Sequence, residues 1–228
     1  ATSTTMALSP AGLEGGNGAG DLPPELLNRT FDLYWQNFQE RLNNQKDWKD
    51  YTPYEWRLVS ALVRLGQKDR ALQVLHFLMA DRRPVAWNGW AEVVGRHMRE
   101  PRFIGDMPHA WISSDYIRSA LDLLAYERTS SQSLVLAAGV PQDWLDTPEG
   151  VGVTNLRTAH GLLTYHYVRK GRGYQLDIAS GANPPGGFIL QWPADQTRPA
   201  RALIDGRPAT WVGDELAIPA GSRQVILR

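Results

Sequence analysis

The chain has 228 residues, enough for one large domain or two ordinary ones, with a core that needs no covalent staple. Its 24 basic and 24 acidic side chains cancel, so no basic field collects phosphates, no acidic block attracts cations, and nucleic acid is not an expected partner. The absence of cysteine excludes disulfides, thiolate nucleophiles and Cys-ligated zinc, and no apolar run approaches the roughly 20 residues of a membrane helix, so no membrane partner is expected either.

Residues 1–22 open with a small, polar run from Ala1 to Gly20 that has no initiator Met and no signal-peptide pattern. They read as a linker or a cut point, because little there offsets the entropy of ordering them. Pro23 and Pro24 suit a first helical turn, and Leu26, Leu27, Phe31, Tyr34, Trp35, Phe38 and Leu42 recur at helical spacing, which predicts a helix near 23–43. Thr52, Pro53, Tyr54 and Glu55 form a T-x-x-E capping box with proline at the first helical position, predicting a helix over 53–65 that stops at Gly66. After the turn Gln67–Lys68, residues 69–80 carry so broad an apolar pattern that this helix, antiparallel to the previous one, is expected to be largely buried.

From Asp81 to His109 the periodicity fails. Prolines 84, 101 and 108 and glycines 89, 95 and 105 interrupt it, and a stretch of this length inside a compact region is usually a functional loop or a disordered one. Trp87, Trp90 and Phe103 argue against disorder. A last helix follows at about 111–127, with Ile112, Tyr116, Ile117, Ala120, Leu121, Leu124 and Ala125 as its apolar face. Beyond Ser130 the period turns to alternation, with strands expected near 133–138, 151–157, 160–169, 173–179, 187–192, 200–204, 209–212, 214–218 and 223–227. Gly171-Arg172-Gly173 and Asp205-Gly206 mark turns between them. Many short strands joined in this way predict a sandwich or a barrel.

Several chemistries find no support. His76, His97, His160 and His166 have no acidic partner at metal-ligand spacing, so no metal is expected. Neither a phosphate-cradling glycine loop nor Gly-x-Ser-x-Gly is present, so no cofactor or serine nucleophile is expected. Nine Trp, eight Tyr and five Phe are a large aromatic load, and aromatic faces either fill cores or bind the apolar faces of sugar rings.

The segment Arg82-Arg83-Pro84-Val85-Ala86-Trp87-Asn88-Gly89-Trp90-Ala91-Glu92, followed by Gly105-Asp106-Met107-Pro108-His109-Ala110-Trp111 just before the last helix, resembles the tail of the α-L-rhamnosidase-like catalytic barrel. The segment Leu136-Ala137-Ala138-Gly139-Val140-Pro141 and the closing stretch from Asp214 to Arg228 resemble the small C-terminal domains of these α/α-toroid glycoside hydrolases. The resemblance implies an α+β multidomain fold: residues 23–130 as the C-terminal portion of an α/α toroid, its terminal helical hairpins, and 131–228 as an antiparallel β-sandwich. It also implies a carbohydrate substrate, the remaining N-terminal part of the same enzyme as partner, the general acid on that part, and an extracytoplasmic location.

In such toroids the site lies where the inner helices begin, which here are 53–65 and 111–127. Glycoside cleavage needs two carboxyl groups, and Glu92 and Asp106 are the candidate catalytic pair. Where the family carries a Trp-Glu pair this chain has Trp87-Asn88, and Glu92 is taken as the base; its structural alternative is a pair with Arg96 four residues on. Asp106 can equally serve an Asx turn, and Glu55 the capping box. His109, Trp87, Asn88, Trp90, Trp111, Glu55 and Tyr54 are the candidate substrate-binding residues, with at least one of the tryptophans expected to be plain core. Two further functions stay open on the same residues. One is a glycoside phosphorylase, for which no basic or Ser/Thr phosphate pocket stands out; the other is a non-catalytic carbohydrate-binding module.

Overall fold

Proline at the start of one helix, a threonine turn before the next and strict alternation in the second half give a chain of mixed α+β type. The computed structural model describes residues 1–13, 22–97, 107–193 and 196–228. It comprises two compact units, Ala1–Ala120 and Leu121–Arg228.

In the first unit a single helical turn, α1 (Thr5–Leu8), packs on the third helix and buries Thr5 and Leu8. Residues 1–13 therefore do not behave as the expected linker. One leucine suffices to dock them because the surface receiving it is already apolar. The rest of that expected linker, from 14 to 21, lies outside the described residues. Helix α2 (Pro24–Leu42) begins on proline and buries Leu27, Phe31 and Phe38 along one face. A 3-10 turn, Pro53–Glu55, leads into α3 (Trp56–Arg64). Gly66, at φ 73°, ends that helix where a side chain would be strained, and α4 (Lys68–Ala80) turns back along it.

The distribution of burial differs from the sequence expectation. In α3 every residue from Trp56 to Val63 except Arg57 is buried, whereas α4 buries only Lys68, Ala71, Val74 and Leu78. The broad apolar pattern of α4 reports which side chains are apolar, not how many elements surround them. Helix α5 (Ala110–Leu124) adds Ile112 to the core and fastens Ser119 Oγ to the Trp56 carbonyl at 2.6 Å. Two short strands, β1 (Asp50–Tyr51) and β2 (Val94–Gly95), pair antiparallel.

The helix expected to reach 127 stops at Leu124, and β3 (Ala125–Arg128) follows without a loop. The carbonyls that the helix would leave open are taken by the sheet region: Leu123 O accepts from Gly139 N, and Leu124 O accepts from Ala137 N and from Tyr165 Oη. The remaining strands are β4 (Ser133–Leu136), β5 (Val151–Thr158), β6 (Gly161–Lys170), β7 (Gly173–Ile178), β8 (Phe188–Gln191), β9 (Ala202–Ile204), β10 (Arg207–Ala209), β11 (Glu215–Ile218) and β12 (Gln224–Leu227). A helical turn, α6 (Gln142–Leu145), precedes β5.

One sheet has the order β10-β9-β12-β7-β6-β5, all antiparallel; the other has the order β11-β8-β4-β3. In the second, β4 runs parallel to β8, a departure from the expected all-antiparallel arrangement. It arises because the chain crosses to the other sheet and returns through β5, β6 and β7 before β8. Both sheets feed one buried cluster: Leu134, Leu136, Phe188, Leu190, Leu216 and Ile218 from the four strands, and Leu163, Tyr165, Leu176, Ile178, Val225 and Leu227 from the six.

Backbone proximity leaves several glycines of this unit no room for a side chain, Gly173 among them. A Cβ on Gly173 would stand 1.9 Å from Leu227 O, across the β7–β12 pair, while a Cβ on Gly171, at φ 60°, would meet nothing within 4 Å. Gly171→Ala should thus cost only the left-handed backbone penalty of about 1–2 kcal/mol. Gly173→Ala should cost more, because two paired strands must part. Chemical denaturation of the two variants checks this, and an equal loss in both would contradict the register.

Candidate functional site

Thr52 is extended (φ −110°, ψ 124°), and its Oγ1 accepts from Tyr54 N at 3.3 Å. The same hydroxyl donates to the Glu92 carbonyl at 2.7 Å. This turn therefore starts the helix and also fixes the main chain of the 85–95 segment.

Glu55 does not close a capping box. It is only 5 % exposed, and its carboxylate takes two bonds from Arg41, Nη1 to Oε1 at 2.8 Å and Nη2 to Oε2 at 2.6 Å, plus one from Tyr34 Oη at 2.8 Å. With those acceptor sites occupied, Glu55 is a structural anion and not the expected sugar contact. Arg41 in turn lies against the rings of Tyr51, Phe77 and Phe38, at 4.7, 5.2 and 5.4 Å. Next to it Tyr51 Oη donates to Asp81 Oδ2 at 2.5 Å, and Arg83 grips Asp81 Oδ1 from Nε and Nη2. Arg83 Nη1 reaches the carbonyl of Gly95 at 2.7 Å, so the network extends to β2.

Burial first, and then the Glu55 carboxylate, hold Tyr34 well above the ordinary tyrosine range; burial and Asp81 do the same for Tyr51.

The other predicted residues separate into core and surface. Trp90 is 3 % exposed, donates from Nε1 to the Leu78 carbonyl at 2.8 Å, and packs edge-on against Trp56 at 5.0 Å. It is core, not the wall of a pocket. Trp87 and Trp111 are 62 % and 69 % exposed. Asn88, left-handed at φ 49°, accepts from Arg82 Nη1 at 2.6 Å on the surface. Asp106 lies outside the described residues.

His109 and Tyr54 do meet. Tyr54 Oη and His109 Nε2 are 3.2 Å apart, their rings are edge-to-face at 5.9 Å, and the Trp111 ring is 6.3 Å from His109. The far side of Tyr54 carries the Arg57 guanidinium at 4.1 Å, which Asp115 Oδ2 accepts from Nε at 2.7 Å. Burial raises the Asp115 carboxyl despite the opposing pull of Arg57. A Cβ on Gly89 would lie 3.9 Å from Met107 Cε, which puts the Trp87–Trp90 segment beside the residues just before His109.

Glu92 is half-buried, and among the described residues no hydrogen bond to its carboxylate is made. The pairing weighed for it is not formed, since Arg96 donates to Asp47 at 2.9 Å and to Asn44 at 3.2 Å. Glu92 is thus a carboxylate with no donor among the described residues, on a segment whose main chain is tied to the turn that presents Tyr54 to His109.

Sequence reasoning passed over Arg57 and Asp115, which hold Tyr54, and Tyr34, Arg41, Tyr51, Asp81 and Arg83, which hold Glu55 and β2. A signal existed for the first pair. Arg57 sits between Trp56 and Leu58, and Asp115 lies three residues after Ile112, so each interrupts a buried helix face and needs a partner there.

No family model, no curated protein and no solved structure matches this chain. Among the described residues there is no group of three or more His, Asp or Glu placed to hold a metal ion, and no helix long and apolar enough to cross a membrane.

Two outcomes follow for the first unit. Glu55→Ala leaves Arg41 charged and nearly buried without its partner, and should lower the unfolding free energy by about 3–5 kcal/mol; a loss below about 0.5 kcal/mol in urea unfolding would show that the pair holds nothing. Tyr34 and Tyr51 stay neutral in the folded chain to higher pH than in the unfolded one. Stability should therefore be intact below the unfolded tyrosine value, about 10, and fall above it by up to about 1.4 kcal/mol per pH unit for each of the two. Denaturation midpoints between roughly pH 8.5 and 11 read this directly.

Proposed function

We propose that the chain is the C-terminal portion of a glycoside hydrolase, with the first unit as the terminal helical hairpins of an α/α toroid and the second as a β-sandwich. In this reading Glu92 is the base and Asp106 the second carboxylate, and the general acid belongs to the upstream part of the enzyme. The observation that carries the proposal is the placement of Glu92. It is half-buried, accepts no hydrogen bond from the described residues, and is anchored through its carbonyl to the Thr52 turn from which Tyr54 reaches His109.

A carboxylate free of donors can take a proton from a water attacking an anomeric carbon. The Tyr54–His109 pair offers a donor and an acceptor for a sugar hydroxyl, and the exposed rings of Trp87 and Trp111 offer apolar faces for a pyranose. Trp90 and Glu55 have no part in this contact surface. The reading places the enzyme outside the cytoplasm, as is usual for the family that the loop motifs resemble.

Aryl-glycoside hydrolysis tests the proposal on two polypeptides: the 228-residue chain, and the same chain joined to the segment encoded upstream. The first should show no turnover above the blank, and the second should turn over substrate. In the longer form Glu92→Gln should lower kcat by about 100-fold or more with KM little changed. Unchanged kcat would remove Glu92 from the mechanism, and turnover that requires inorganic phosphate would make the enzyme a phosphorylase. Sugar binding that depends on His109 and Trp111, with no turnover in either polypeptide, would leave a carbohydrate-binding module.

A further inference from the structure

We propose that the second unit carries a separate binding site for an acidic saccharide, a sugar ring bearing a carboxylate or a sulfate. The site is a cleft of about 410 Å³ that includes Gln142, Arg172, Tyr174, Trp192, Arg198 and Arg228 in its lining. None of these residues belongs to the candidate catalytic site, and the assignment does not depend on hydrolysis.

Charge comes first. The chain is neutral overall, yet three arginines line this one cleft, and none of the described side chains lining it is acidic. Gathering like charges is unfavourable unless an anion joins them. Arg172 and Arg228 make no side-chain hydrogen bond or ion pair among the described residues and are exposed. Arg198 is anchored by a bond from Nη1 to the Gly213 carbonyl, which leaves its other nitrogens to donate. The nearby Arg169 is already engaged, by Asp146 at 3.1 Å and the Tyr174 ring at 5.8 Å, so it does not share this role. Free guanidinium forks match the geometry of carboxylate and sulfate oxygens.

The wall points to a ring. Tyr174 and Trp192 pack at 5.6 Å, and Trp211 backs Trp192 at 6.1 Å. Trp192 is 7 % exposed, and its buried Nε1 has no partner. Gln142 Nε2 donates to Tyr174 Oη at 2.7 Å, which fixes the tyrosine and leaves the amide oxygen of Gln142 as an acceptor. The partly buried Tyr174 ring, backed by the buried Trp192, gives the cleft one apolar side that suits a face of a pyranose, and the arginines suit its acidic substituent.

The test titrates the full 228-residue chain with three oligosaccharides of equal length: an oligogalacturonate, a sulfated one and a neutral one. Tryptophan fluorescence and the indole N–H resonance of Trp192 report binding. Saturable binding of an acidic probe is expected, weakening as salt is raised, with the preferred probe identifying carboxylate or sulfate as the anion. Arg172→Glu/Arg228→Glu should raise that Kd at least tenfold, equivalent to about 1.4 kcal/mol, and Arg172→Ala should raise it less, with both variants melting near the parent temperature because both positions are exposed. Failure of both acidic probes to saturate, equal affinity for the neutral probe, or an unchanged Kd in the charge-reversed chain would each overturn the site.

Discussion

The Arg41–Glu55 ion pair is the constraint around which the first unit is arranged. Each partner taken out of water alone would cost several kcal/mol, and the pair survives burial because the carboxylate receives three bonds and the guanidinium lies among three aromatic rings. Its reach is wide. Arg41 comes from α2, Glu55 from the turn before α3, Tyr51 from β1 and Phe77 from α4. Tyr54, one residue before Glu55, follows the turn this pair anchors, and its ring carries the Arg57 guanidinium that Asp115 holds. The Tyr54–His109 contact is thus positioned by charges that do not themselves face a ligand.

The second unit is held by a different rule, the two-residue alternation of its strands. Leu163, Tyr165 and Tyr167 point into the cluster shared by both sheets, while Leu162 just before them and His166 among them face out. A slip of one residue would reverse all of them, so the core fixes the register. The aromatic residues at its rim, Tyr174 and Trp192, are partly core and partly lining of the arginine cleft.

Much of this architecture is legible in the sequence where the signal is local. The turn Asp205-Gly206, with φ of 48° and 77°, closes β9 and β10 as its residue types require, and the strands from β4 to β12 fall close to their expected places except β10, which occupies 207–209 and not 209–212. What escaped was set by partners distant in sequence. Glu55 fits a capping box by spacing, but the guanidinium of Arg41 competes for its carboxylate and wins, because a buried charge-assisted pair outweighs one exposed backbone bond. The helical pattern of α5 runs on through Ala125, yet its end is decided by backbone donors at Ala137 and Gly139. The run from Ala1 to Gly20 reads as small and polar, and only the surface of α3 makes its Leu8 an anchor. In the candidate site, Tyr54 and His109 were singled out separately and the structure puts them in contact; one core tryptophan was expected, but that it is Trp90 was not legible, because a tryptophan near a proline-rich loop reads alike whether it fills a core or waits for a sugar.

The clasp formed by Arg83 has a consequence for how this protein can change. Arg83 binds Asp81 at the end of α4 and the carbonyl of Gly95 in β2, and β2 pairs with β1. The segment between is therefore secured at both feet, while residues 84–88 at its crest are exposed. Lengthening such a closed crest costs little, about 0.6 kcal/mol for each doubling of loop length, and strains nothing beneath it. Insertions and substitutions around Trp87 and Asn88 can accumulate at small cost to folding, and descendants of this chain can vary there in what they touch while the scaffold below stays the same.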